Sequence, residues 1–342
     1  MTRFLSHARF IIGGLALLAL VAVSAPVSAQ QPSSVNPTAQ SVKEDQLLNA
    51  LRGDDAVRGR VTIPDQKSAT LIQPAGRDWR EFHERTLKWI GAISVVGMLI
   101  LLVVFYLTRG MVKLERGRAG RVVVRFTAFE RFIHWMTAAC FIILAISGLN
   151  ITFGKNLLAP LFGAQAFTDW SQWLKYAHNY LSFPFTIGVV VIALMWIAGN
   201  VPNRTDVEWV KKGGGIVGDD HPPAYRFNAG QKMIYWIVVL GGAAVAITGY
   251  ILMFPFYGTS VGGMQLSQTI HAIVGVLFVA AMLAHIYIGT IGMEGAFEAM
   301  GSGTVDVNWA RQHHRLWLEQ QGAVTGPNES ERQPRAAATP AE

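Results

Sequence analysis

Long apolar runs alternate with basic or polar connections along this chain, a pattern that predicts a bundle of helices and no sheet. Five runs, near residues 87–107, 131–153, 177–199, 232–254 and 267–292, are each long enough to cross the hydrocarbon core of a bilayer as an α-helix. A helix satisfies its own backbone hydrogen bonds in lipid, so it is the element these runs predict. The connections differ in charge. The one between the first two runs carries Arg109, Lys113, Arg116, Arg118, Arg121 and Arg125, and the one over 200–231 carries Arg204, Lys211, Lys212 and Arg226. By contrast 154–176 has only Lys155 and Lys175, and 255–266 has no basic residue. The positive-inside rule therefore predicts a first span that enters from outside, alternating spans after it, and a cytoplasmic C-terminus in a bacterial cytoplasmic (inner) membrane.

Residues 1–29 read as a signal peptide: Arg3 and Arg9, an apolar stretch from Phe10 to Val23, then the small-residue ending Val27-Ser28-Ala29. The apolar part is short for a span, which argues against an uncleaved anchor. Segment 30–85 is polar and is expected outside the membrane as a linker or strap. The remaining divisions are an extra transmembrane helix at 86–108, a basic cytoplasmic loop at 109–128, a four-helix core at 129–293, and a cytoplasmic tail at 294–342 that is expected to be disordered beyond about Gln320. The fold class expected is all-α integral membrane, with no internal repeat.

Composition agrees: 51% of the residues are hydrophobic and only 15% charged, an unusual balance for a water-soluble fold. The net charge of +7 is clustered beside apolar runs, which makes it a topology signal and argues against nucleic acid as a partner. The single cysteine, Cys140, leaves the chain without an internal disulfide, a covalent haem attachment motif or an iron-sulfur cluster of its own. Histidine is then the remaining ligand for a redox iron.

Of nine histidines, His7, His83, His221, His313 and His314 fall in the signal, the polar segments or the tail and need no special role. His134, His178, His271 and His285 lie inside the spans, where an ionisable group is costly without a partner. His271 and His285 share the fifth run and are 14 residues apart, so they project from one face of a helix, separated by roughly 21 Å of rise. Depth pairs His134 with His285 toward the cytoplasm and His178 with His271 toward the outside. Two axial imidazoles on each of two stacked haem b groups would form an electron wire, since occupying both faces of an iron favours electron transfer over substrate binding.

A porphyrin needs room between helices. Gly148 follows His134 by 14 residues, on the same face but at the depth of the outer pair. Gly188, Gly249 and Gly275 can open similar space or serve plain helix packing. Before the fourth run, Arg226-Phe227-Asn228-Ala229-Gly230-Gln231-Lys232 offers amides, a flexible glycine and a cation near the depth of His285, suited to a quinone headgroup and its proton supply. Asn228 can equally be a helix cap and Lys232 a snorkelling side chain.

From about Arg125 to Trp317 the chain resembles the gamma subunit, a cytochrome b, of membrane-bound respiratory formate dehydrogenases. The residues that carry the resemblance are Phe129-Glu130-Arg131 before His134-Trp135, then His178, the segment from Asn228 to Met233, His271 and His285 at their spacing, and Trp309-Ala310 with His313-His314. The resemblance implies that His134 and His285 ligate the inner haem and His178 and His271 the outer one, with Asn228, Gly230 and His285 around a menaquinone or ubiquinone pocket. It implies as partners an iron-sulfur beta subunit and a molybdenum or tungsten catalytic alpha subunit that oxidises formate. The chain itself would be the electron-transfer, quinone-reducing and anchoring part of that enzyme. The family has four helices, so the signal, the exported segment and the first span have no counterpart there. Two other readings fit the spans: the cytochrome b of a nickel-iron hydrogenase or another periplasmic oxidoreductase, and a haem-free transporter or structural anchor.

Overall fold

The computed structural model describes residues 75–215, 221–255 and 257–322. The signal peptide, most of the exported segment and the expected disordered end lie outside the described residues. The chain divides into two compact units, Met1–Thr86 and Leu87–Glu342. In the first, the described residues form α1 (Ala75–Glu81) followed by a π-helical turn over Phe82–Thr86. An Arg80–Glu84 ion pair one turn apart and Trp79 stacked on His83 at 5.3 Å support that turn, so the polar segment expected as a linker ends in a helix.

The second unit contains the helices that cross the membrane; among the described residues five helices are long and apolar enough to do so. α2 (Leu87–Arg109) buries only Leu87 and Gly91 and stops at Gly110, whose φ of 68° a side chain would resist. α3 (Ala128–Leu149) begins with a capping box: Glu130 N–H donates to Thr127 Oγ1, and Thr127 N–H donates to Glu130 Oε2 at 2.8 Å. A π-helical turn, Asn150–Gly154, extends it.

α4 (Ala164–Asn200) has 37 residues and begins well before the apolar run near 177. At 1.5 Å per residue it measures about 55 Å, far more than the hydrocarbon core, so its first turns stand outside the lipid. Hydropathy marks only the lipid-immersed part. Residues 164–176 carry Gln165, Asp169, Gln172 and Lys175 but no glycine or proline to end the helix.

After the short α5 (Arg204–Lys211), the fourth span consists of α6 (Ala229–Trp236), a π-helical turn at Ile237–Gly241 and α7 (Gly242–Met253). α8 (Val261–Tyr287) is capped by Ser260 and runs into a last π turn, Ile288–Gly292. α3 packs on α4, and α8 packs on both α2 and α7. In lipid such contacts rest on close approach. A Cβ at Gly188 would overlap Thr137 Oγ1, and one at Gly242 would lie 2.9 Å from a Val189 methyl. Gly188 therefore serves helix packing.

At one end of the bundle the polar connections build a cap. β1 (Val122–Val124) pairs antiparallel with β2 (Thr304–Asp306), placing Val123 opposite Val305, and α9 (Val307–His313) and α10 (Arg315–Gln320) follow. The Asp306 carboxylate accepts from the backbone N–H groups of Ala119, Gly120 and Asn308. Gly303, at φ 88°, uses its carbonyl to accept from Arg125 and Phe126, and a Cβ there would lie 2.7 Å from Phe126 O. Phe126, Trp196, Phe227, Val305, Trp309, Ala310, Trp317 and Leu318 form the core that joins cap to bundle. Residues 294–320, expected as a tail, are thus folded. Each element there is too short to show a period, and long-range pairing creates them.

Candidate cofactor site

α3 carries His134, α4 carries His178, and α8 carries both His271 and His285. The fold turns these four rings into two facing pairs. His134 and His285 have ring centroids 6.2 Å apart with planes at 62°, and His178 and His271 are 6.1 Å apart at 61°. Two metal–nitrogen bonds of about 2 Å, plus about 1.1 Å from each nitrogen to its ring centre, require about 6.2 Å between centroids. Both pairs fit a metal held between them. Among the described residues no group of three or more His, Cys, Asp or Glu side chains is placed to hold an ion. Two imidazoles alone suit a macrocycle that supplies its own in-plane donors, as haem does.

Hydroxyl groups orient one pair. Ser147 Oγ lies 2.7 Å from His178 Nδ1 and 2.8 Å from the Ile143 carbonyl, and Ser147 is fully buried. A hydroxyl has one proton; directed to the carbonyl, it leaves the oxygen to accept from His178 Nδ1–H. Thr248 does the same for His271, with Oγ1 3.1 Å from Nδ1 and 2.6 Å from the Ala244 carbonyl. Both rings then carry their proton on Nδ1 and present a bare Nε2, the form that binds iron. Sequence reasoning missed Ser147 and Thr248. Their only signal was a hydroxyl in a span, which back-bonding to the preceding turn also explains. At the other pair, His134 Nδ1 is buried with no hydrogen-bond partner, and the neighbouring Trp135 indole donates to Met300 O at 2.9 Å.

The glycines divide between the pairs and the packing. A Cβ at Gly148 would touch only His178 Cε1, at 3.7 Å, and one at Gly249 would lie 3.1 Å from His271 Cε1. Gly275 has no atom within 4 Å of such a Cβ. Gly148 and Gly249 thus border the His178–His271 pair.

In the segment before α6, the cap reading of Asn228 is realised. Its Oδ1 accepts from Gln231 N–H at 2.9 Å, and Gln231 Oε1 accepts from Asn228 N–H at 3.2 Å. Lys232 is 4% exposed and does not snorkel: its ammonium donates to Asp206 at 2.8 Å and to the Val201 carbonyl. A Cβ at Gly230 would lie 3.1 Å from the Trp209 ring and 3.4 Å from Asn228 Oδ1, so Gly230 lets Trp209 come close to this segment. His285 faces His134, on a different helix from this segment.

The histidines expected to need no role are partly engaged. His314 is completely buried in the cap; its Nδ1–H donates to the Tyr225 carbonyl at 2.7 Å, leaving Nε2 to accept from Arg125 Nη2 at 3.0 Å. His313 stacks near Trp309 and meets the edge of His221. Burial, then the neighbouring His221 and Arg125, push the His313 imidazole down to about 4, so it is neutral at pH 7. Burial pushes the Arg125 guanidinium down to about 9, with Arg226 adding repulsion, and it stays charged.

The comparisons with known proteins agree with this architecture. Residues 125–303, over half of the chain, match the family described as prokaryotic cytochrome b561. The chain is similar to the cytochrome b556(fdo) subunit of formate dehydrogenase from Escherichia coli (strain K12), 28% identical over 202 residues that cover 58% of this chain and 92% of that protein. It is also similar to the nitrate-inducible cytochrome b556(Fdn) subunit of the same organism, 25% identical over 218 residues, 62% of this chain and 97% of the relative. A formate dehydrogenase cytochrome b556 subunit of Haemophilus influenzae is 24% identical over 220 residues, 62% and 88% of the two chains. These matches bear out the resemblance read from the motifs. With its membrane-spanning helices and facing histidines, the chain belongs to the prokaryotic cytochrome b561 family.

Proposed function

We propose that this membrane cytochrome b is the subunit of a formate dehydrogenase complex that carries electrons through two haem b groups to quinone. The observation that supports it most is the pair of near-identical histidine geometries, 6.2 Å and 6.1 Å between rings, on helices that cross the membrane. His134 and His285 would hold one haem, His178 and His271 the other, and Gly148 would leave room beside the second. Haem supplies reversible one-electron transfer when bound.

Ser147 and Thr248 orient His178 and His271 through their Nδ1 atoms, and the cap packs on Trp135, next to His134. Along α8 the two ligands lie 14 residues apart, roughly 21 Å, so one helix sets the spacing of both centres. The names of the similar proteins favour formate dehydrogenase over a nickel-iron hydrogenase as the parent complex. An iron-sulfur subunit would deliver electrons to the His178–His271 end, outside the membrane by the charge of the loops, and a molybdenum or tungsten subunit would oxidise formate. Asn228 and Gly230, with Trp209 beside them, and His285 would serve menaquinone or ubiquinone near the cytoplasmic face. Inward electron flow with cytoplasmic proton uptake would separate charge, at about 2.3 kcal/mol per charge per 100 mV.

The test is to isolate the intact complex, identify its large subunit, record a reduced-minus-oxidised spectrum and assay formate-dependent quinone reduction. A hydrogenase large subunit would overturn the formate reading. Absence of a haem b band would overturn the electron-transfer reading.

A further inference from the structure

The cap encloses a positive charge that no carboxylate among the described residues balances. Arg125 is 3% exposed. One of its nitrogens, Nη2, donates to the Arg226 carbonyl at 2.6 Å and to His314 Nε2, while Nε and Nη1 are buried without a hydrogen-bond partner. The carboxylates around it are engaged elsewhere. Glu130 accepts from Arg226 at 2.7 Å, from the Trp196 indole and from Thr127. Asp306 holds backbone N–H groups, and Glu115 is on His221 at 3.0 Å. A second cation, Arg226, shares the Phe126 ring with Arg125, at 5.2 and 5.4 Å to the centroid, so the pairing of Arg226 with Glu130 leaves one charge over.

The polar groups next to Arg125 are also unsatisfied. The Trp309 ring lies 5.3 Å from the Arg125 guanidinium carbon, and its Nε1–H is buried without a partner; Trp309 is 3% exposed. His313, 8% exposed and 5.3 Å from the Trp309 ring, leaves Nε2 unpartnered, and beyond it His221 leaves Nδ1 unpartnered. Arg125 Nε, Arg125 Nη1 and Trp309 Nε1 can only donate, and His313 Nε2 donates in one of its two neutral tautomers. A buried charge with only neutral acceptors, and with several donors left unmet among the described residues, calls for a ligand that is negative and rich in oxygen. Buried water would satisfy the N–H groups but add no negative charge to a guanidinium that meets only the faces of Phe126, Trp309 and Trp317, the last at 4.9 Å.

We propose that Arg125, Trp309 and His313 form a binding site in the cap for an oxyanion of the phosphate class. The unpartnered Nε–H and Nη1–H leave the guanidinium by different edges, each free for one oxygen, and the Trp309 indole and His313 imidazole bring further unpartnered nitrogens to the same part of the cap. Chloride, a single acceptor, would leave donors unmet. Phosphate oxygens can come from free phosphate or from a phospholipid headgroup. The site is separate from the facing histidine pairs and does not depend on the haem reading.

The experiment is equilibrium binding of radiolabelled orthophosphate to the isolated complex, before and after exchange of its lipid for a phosphate-free glycolipid. Saturable binding that is lost in Arg125→Gln, but kept in Arg315→Gln at an exposed arginine of α10, is the expected result. Trp309→Phe, which removes one N–H and keeps the ring, lowers affinity about two- to tenfold. Binding that appears only after lipid exchange, and that phosphatidylglycerol displaces, assigns the headgroup as the natural source. Should Arg125→Gln fail to assemble, Trp309→Phe and His313→Asn decide. Absence of saturable binding under both conditions, or equal binding in wild type and in these variants, overturns the proposal.

Discussion

The two histidine pairs have nearly the same ring separation but are built differently. At His178 and His271 each Nδ1 is tied to a buried hydroxyl, Ser147 or Thr248, on a neighbouring helix, so hydrogen bonds fix tautomer and orientation. At His134 and His285 no such clamp is present among the described residues; His134 Nδ1 is unpartnered, and Trp135, whose indole is held by Met300 O, packs against the His134 ring. One pair is set by polar contacts inside the helices, the other by packing under a folded cap. Hydrogen-bond strength at Nδ1 tunes ligand basicity, so under the proposed function the clamped pair would have a fixed electronic setting and the capped pair would respond to changes in the cap.

Four experiments can break or sharpen that contrast. The largest effect is expected from His178→Ala or His271→Ala, which should remove one of two haem b signals in optical and EPR spectra and leave the other unchanged. Retention of both signals would refute the pairing. Next, Thr248→Val and Ser147→Ala should leave two haems assembled but weaken haem retention at that end by about ten- to a hundredfold, the usual cost of losing an outer-shell partner. Haem titration of the apoprotein measures this; an equal loss at both ends would erase the distinction.

Acid should act on the other end. A histidine in an unfolded chain titrates near ~6.5. Burial first, then His221 and Arg125, lower His313 to about 4, and burial with the Arg125 charge lowers His314 further still. Between those values the unfolded state binds more protons, so cap stability is full above pH ~6.5 and falls as pH drops toward 4, by roughly 3 kcal/mol for His313 alone. The His134–His285 haem signal should therefore broaden or shift first as pH is lowered, read by EPR across pH 7 to 4. The smallest effect is expected from Gly148→Ala, whose new methyl meets only His178 Cε1 at ordinary contact distance. Gly249→Ala, at 3.1 Å from His271, should shift the same haem spectrum more, and a reversal of that order would show that Gly148 faces the cofactor more closely.

Much of the bundle was legible along the chain. Apolar runs have to be about as long as lipid is thick, and histidines 14 residues apart on one helix have to share a face, so the spans and both pairings could be derived from spacing. The extension of α4 back to Ala164 was not legible, because hydropathy detects lipid contact and not helix. His221, His313 and His314 looked like ordinary polar residues because the irregular segment 221–228 and the short elements at 304–320 acquire their burial only by packing with 112–126, nearly two hundred residues away in part. Asn228 and Lys232 were readable as types but not in role: the capping box and the Asp206 pair use them structurally.

Local order therefore determined the membrane-spanning helices, the capping boxes at Thr127 and Asn228, and the presence of two histidines on one face of α8, since these depend on contacts within a few turns. Tertiary structure alone decided which hydroxyl meets which imidazole, and how the cap encloses Arg125 with no carboxylate beside it among the described residues. Those contacts join residues tens to hundreds of positions apart, and their strength depends on burial, which a linear pattern does not encode.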